Sequence, residues 1–325
     1  MRLAAGFLAV VCGGVAFADE AAIFVPTALA AKVEGGEHAG QSVALEARSD
    51  GAMVWVTQAV QALPGTPAYP LPEPTRCGDP TALEVPRWFA VPPEFAGMKW
   101  EVNSAFEVVA RVVEFVSQRI TLDEHDVGPQ DGISVLVRGR GRCSGRANLA
   151  VGLLRAVAIP ARIVRGMVVG KDGARWHRWG EAWLGELGWI AFDPGAAVGL
   201  VSVRYLPLRG SGEGSTLAGV RLERINEQGY VGLPVRRGLR VLPVGGVTLR
   251  CLAPEGDPTI TALLVGPDGS RWARQGRGEV VFVGMLPGRY RIVWRGAGRP
   301  SALNLRLGGA REVRVELPGI GEARS

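Results

Sequence analysis

At 325 residues the chain is long enough for two domains, and its 47% hydrophobic and 21% charged residues exclude a disordered composition. The formal net charge of +6 is small and dispersed along the chain, unlike the clustered basic charge and interleaved aromatics of a nucleic-acid-binding surface. Its 46 glycines and 22 prolines imply many turns and short strands.

The chain opens with "MRLAAGFLAVVCGGVAFA". One arginine, an apolar run and the small residues Ala16 and Ala18 before Asp19 predict a signal peptide over 1–18. The run is too short and too Gly-broken to span a bilayer, and no later segment reaches about 18 uninterrupted apolar residues. The mature protein is therefore expected to be periplasmic or secreted, with no stable membrane insertion. Cleavage removes Cys12 and leaves Cys77, Cys143 and Cys251. Whether Cys77 and Cys251 form a disulfide or stay as thiols, Cys143 is the one left over.

Residues 19–95 read as a β-rich N-terminal region. "SVALEARSDGAMVWVTQAV" predicts a hairpin with Asp50-Gly51 at its turn. "GTPAYPLPEPTRCGDP" is too proline-rich for a strand or helix interior and is expected as an extended surface segment. In "VNSAFEVVARVVEFVSQRI", Phe106, Val109, Val113 and Val116 recur at helical spacing behind an N-cap at Asn103 or Ser104. A second helix starts at Cys143, with Ala147, Ala150, Val151, Leu154 and Val157 on one face, and stops before Pro160. Three strands follow, "RIVRGMVVG", "WHRWGEAWL" and "GWIAFDPG". Two short strands, in "LVSVRYLPL" and "GVRLERI", flank the linker-like "RGSGEGST". From about residue 240, seven short strands at regular spacing predict a small β-sandwich over 240–320. The fold class is α+β, with helices on an antiparallel sheet over 96–235 followed by this all-β unit.

The segment with the most chemistry is "RGRGRCSGRA", residues 138–147, which sets four arginines and three glycines around Cys143. A phosphate-binding loop needs Gly-Lys-Ser/Thr, which is absent, and an RNA-binding RG tract does not run straight into an apolar helix. A reactive thiol fits better. Cys143 opens a helix, where unsatisfied N–H groups and flanking Arg142 and Arg146 favour the thiolate. A thiolate nucleophile needs a base and a group to orient it. Of the three histidines, His38 and His125 lie in polar loops, and only His177 sits in a strand-like run. If Leu184 pairs Gly188 across a three-residue turn, Asp193 falls opposite Trp179 and diagonal to His177, on the same face. Glu181 shares the face but is four residues along the strand, roughly 13 Å away.

The blocks "RGRCSGRANLAVGLLRAVAIPARIVRGM", "HRWGEAWL" and "GWIAFDPG", in this order, resemble the transglutaminase-like superfamily over about residues 90–205. A catalytic triad of Cys143, His177 and Asp193 is what the resemblance implies, with a core related to papain-type thiol enzymes. The sequence departs from the family pattern at Ala158, where Gly is usual, at Met167, where an aromatic is usual, and at Gly195, where Thr is common. The segment "GMLPGRYRIVW" in turn resembles carboxypeptidase-regulatory-like β-sandwich domains.

The implied chemistry is acyl transfer through a Cys143 thioester, as a cysteine protease or amidase when water resolves it and as a transamidase when an amine does. The substrate expected is a protein or peptide, peptidoglycan peptides included. Trp176 and Trp179, nearest the base, are candidates to wall a substrate groove, against the alternative of core packing. No cofactor is expected and no metal site, since the cysteines and histidines lack ligand spacing. The reading from another class is a catalytically silent binding or scaffold protein of the cell envelope.

Overall fold

The computed structural model describes residues 18–86, 89–96, 102–210, 216–253, 259–295, 300–308 and 311–318. The expected signal peptide, residue 18 apart, lies outside them. Among the described residues no helix is long and apolar enough to cross a membrane.

Strands β1 (Asp19–Pro26), β2 (Gly36–His38), β3 (Gln41–Arg48) and β4 (Gly51–Gln58) form an antiparallel sheet. Arg48 pairs Gly51, so the hairpin turn is Ser49-Asp50, and Gly51 belongs to β4. Glycine is required there because a Cβ would lie 2.2 Å from the Val25 carbonyl oxygen of the neighbouring strand. The sheet's fifth strand is Arg221–Asn226, which pairs with the outer side of β1. The N-terminal region is thus completed by a segment about two hundred positions away in the chain. The proline-rich segment is not a loose surface strap: Leu71 is buried in the main core and the Tyr69 hydroxyl donates to the Val157 carbonyl at 3.1 Å.

Helix α1 (Ala105–Arg119) begins where the Ser104 hydroxyl accepts the Glu107 N–H at 3.3 Å. Its Val108, Val109, Val112, Val113 and Val116 are fully buried. A shorter helix that periodicity did not suggest, α2 (Gly132–Arg138), is closed by Asp131, whose carboxylate accepts the Ser134 N–H, and by Gly139 at φ 67°. Helix α3 (Cys143–Ala156) follows. It ends through Ala158, which adopts the left-handed conformation at φ 57°, the position where glycine is favoured after a helix.

The central sheet has the strand order β9-β5-β6-β7-β8-β11-β10, where β5 is Ala161–Gly170, β6 Gly173–Trp183, β7 Trp189–Asp193, β8 Ala197–Gly199, β9 Tyr205–Pro207, β10 Val235–Arg236 and β11 Leu239–Val241. Successive side chains of a strand face opposite ways. On one face, Ala161, Ala182, Ile190 and Phe192 meet α1 and α3 in the main core, while Met167 and Val169 further along β5 meet the N-terminal sheet. On the other face, Trp179, Ala191, Val201 and Tyr205 make a small separate cluster.

All seven expected C-terminal strands form. Residues 247–252, 279–285 and 312–316 make one sheet, and 259–265, 271–277, 288–295 and 301–307 the other. Leu249, Cys251, Ile260, Leu264, Phe282, Ile292 and Trp294 are buried between them. Cys251 and Cys77 are both free and buried, so there is no disulfide between them.

Candidate active site

Cys143 is positioned by the loop ahead of it. The Gln130 side chain accepts the Arg142 N–H at 2.8 Å and donates to Asp126 at 2.8 Å and to the Gly128 carbonyl at 2.9 Å. Asp126 is itself ion-paired to Arg138 at 2.8 Å, and Asn148 of α3 holds the Gln130 carbonyl at 2.7 Å. Glycine at 145 permits this docking, because a Cβ there would come within 2.4 Å of Val135 and 2.7 Å of the Gln130 amide oxygen. The result is a helix whose first residue is Cys143 and whose first N–H groups have no carbonyl partner within the helix.

The base lies on β6. The ladder of β6 with β7 runs Gly180–Phe192, Glu181–Ala191, Ala182–Ile190 and Trp183–Trp189, closed by Leu184 N–H to Gly188 oxygen at 2.9 Å. This is the register expected from the three-residue turn. Strand β7 ends at Asp193, so the flank of β6 beyond Trp179 has no strand beside it. The start of α3 occupies that place, and the Arg178 backbone N–H donates to the Cys143 sulfur where the next ladder bond would be.

His177 Nε2 is 2.6 Å from Asp193 Oδ2, and the imidazole is also hydrogen-bonded to the Cys143 sulfur. With Nε2 engaged by the carboxylate, Nδ1 is the nitrogen left for sulfur. Asp193 further accepts the Tyr205 hydroxyl at 2.7 Å and the Gly195 N–H at 2.7 Å. Burial alone pushes the His177 pKa down, but the bonds to Asp193 and Cys143 outweigh it and raise it to about 9. Burial likewise opposes ionisation of Cys143, and the His177 bond and charge with the Arg178 N–H reverse this and lower the thiol pKa. Asp193, though buried, is held below the usual carboxylate range by His177, the Gly195 N–H and Tyr205. Glu181 instead pairs with Arg162 at 2.7 Å, away from the imidazole.

The two arginines flanking Cys143 differ in their roles. Arg146 is buried beneath the site, donating to the Pro194 carbonyl at 2.5 Å and contributing positive charge beside Asp193. Arg142 is exposed at the rim. A cavity of about 520 Å³ opens over the sulfur, lined among others by Glu124, Gln130, Arg142, Trp176 and Leu208. Trp176, 38% exposed, is therefore on the cavity wall. Trp179 is only 2% exposed and does not line it. It lies on the opposite face, stacked behind His177 at 6.4 Å between ring centroids and edge-on to Tyr205 at 5.3 Å. His38 binds the Glu34 carbonyl and His125 is exposed, and neither lines the cavity. Sequence reasoning missed Tyr205 and Gln130, the supports of the acid and of the helix start. Among the described residues no three His, Cys, Asp or Glu side chains converge as metal ligands.

Residues 96–194 match the family model of the Transglutaminase-like superfamily. No curated protein sequence matches the chain. Among solved structures, the chain is similar to a proposed cysteine protease from Cytophaga hutchinsonii, at 14% identity over 64% of this chain and 86% of that one, with a TM-score of 0.37. It is also similar to a TGase, at 12% identity over 63% of this chain and 57% of that one, with a TM-score of 0.23. A third similar structure is red sea bream transglutaminase, at 10% identity over 92% of this chain and 78% of that one, with a TM-score of 0.22. The family match covers the Cys143 helix, the His177 strand and Asp193 together, and residues 96–194 are a transglutaminase-like domain.

Proposed function

We propose that the chain is an exported thiol-dependent acyl-transfer enzyme of the periplasm or cell exterior, acting on peptide or protein amides through a thioester on Cys143. The observation that carries this is the buried relay in which Asp193 holds one nitrogen of His177 at 2.6 Å while the ring also bonds the Cys143 sulfur. In the resting state His177 holds the thiol proton, as a thiolate–imidazolium pair. The sulfur attacks the amide carbonyl carbon, and the oxyanion that forms faces the Cys143 N–H at the start of α3. The imidazolium gives its proton to the leaving nitrogen, the C–N bond breaks, and an amine departs from the thioester. Water or a second amine then attacks the thioester carbonyl while His177 accepts its proton. The thiolate leaves, and a carboxylic acid or a new amide is released. Asp193 keeps the ring in the required tautomer and balances the imidazolium charge throughout.

The test is trapping of the intermediate. Incubation with an activated acyl donor such as 4-nitrophenyl acetate, followed by intact-mass measurement, should show one acetyl group, located on Cys143 by peptide mapping and released by hydroxylamine. Cys143→Ala should not acquire it. Failure of the native protein to acylate, under conditions where iodoacetamide does reach Cys143, overturns the proposal.

A further inference from the structure

The walls of the cysteine cavity carry a charge arrangement that relay chemistry alone does not require. Arg165 and Arg178 stand directly opposite each other on β5 and β6, and both line the cavity. Arg142, next to the nucleophile in sequence, adds a third guanidinium to the lining. Arg142 and Arg165 are exposed, and neither makes an ion pair among the described residues. Among the described lining residues, Glu124 is the one acid. The exposed guanidiniums of Arg142 and Arg165, beside an opening walled by Trp176 and Leu208, form a surface suited to an anion with an apolar neighbour.

We propose that the acyl donor is an acidic peptide segment, with a carboxylate side chain or terminus close to the amide that is cleaved, held by Arg142 and Arg165. This deepens the acyl-transfer reading and rests on Cys143 as the reacting group. The arginines are specificity-determining residues: they select the donor, and the relay performs the chemistry.

The alkylation of Cys143 by iodoacetate and by iodoacetamide separates the two claims. The reagents form the same C–S bond and expel the same iodide, so their rate ratio cancels the thiolate fraction and reports the potential at the sulfur. A unit charge about 6 Å from an anion in water-like surroundings changes its local concentration by about threefold. The iodoacetate-to-iodoacetamide ratio should therefore fall about threefold in R142Q and in R165Q and about tenfold in the double variant. In the native protein it should also fall as salt is raised from about 0.02 to about 0.5 M, because the rim charges are screened. A ratio unchanged in the variants, or insensitive to salt in the native protein, overturns the acidic-donor proposal. Loss of fast iodoacetamide alkylation in the native protein strikes instead at the acyl-transfer reading. The salt series needs no variant, so the test stands even if a substitution impairs folding.

Discussion

Replacing Asp193 by Asn keeps the shape of the acid but removes the charge that holds the His177 proton. The pair is almost out of solvent, with His177 9% and Asp193 4% exposed, and its contact is 2.6 Å. His177 is lifted from 6.5 to about 9 against a burial effect of opposite sign. That rise corresponds to about 3 kcal/mol in favour of the imidazolium. Its contribution to folding is fully present below pH 6.5 and is lost as the pH rises through about 9. In Asp193→Asn the burial effect is no longer outweighed by the carboxylate, and the His177 pKa should fall below 6.5. The variant should then lose stability as the pH drops, the reverse of the native trend. The assay is the NMR titration of the histidine ring protons, tractable in a chain with three histidines, with His177 assigned by its absence in His177→Ala. If His177 in Asp193→Asn still titrates near 9, the carboxylate is not what holds the proton, and the reasoning fails.

Further outcomes follow from the same geometry. Tyr205→Phe removes a buried bond of 2.7 Å to a charged acceptor and should cost about 2 kcal/mol in urea unfolding. Because Asp193 then ionises less readily, acid unfolding of this variant should begin at higher pH; an unchanged acid limb contradicts the role given to Tyr205. Ala158→Gly should raise stability by about 0.5–1 kcal/mol, since φ 57° is strained for alanine and free for glycine; a loss of stability shows that the turn is held by other means. Titration of the folded protein with a thiol reagent should modify Cys143 well ahead of Cys77 and Cys251, both of which are buried; equal reactivity of all three contradicts the burial described.

Much of the site geometry was readable before the structure because it is local. One short turn fixes the β6–β7 register, and that register decides which acid can reach His177. The parity of β6 likewise separates Trp176 from Trp179, but alternation alone does not tell which face is open, so both stood as candidates for the groove. Tyr205 was not readable because it reaches Asp193 from β9, two strands away from β6 in the sheet and joined by a loop of unpredictable course. Helix α2 escaped because seven residues give too few turns for a period, and "ISVLV" reads equally well as a strand; its signals were the Asp131 cap and Gly139. The pairing of Arg221–Asn226 with β1 is a long-range choice that depends on which edge is left open, and no local pattern encodes it.

The measurement that bears most directly on the account is the pH dependence of Cys143 alkylation by iodoacetamide, in the native protein and in His177→Ala. The account predicts a thiol that reacts fast well below pH 8.5, the ordinary cysteine value being about 8.5, and a profile that moves up to that value or above in the variant, where burial is no longer offset by the imidazolium. An ordinary thiol profile in the native protein, or one that His177→Ala leaves unchanged, contradicts it.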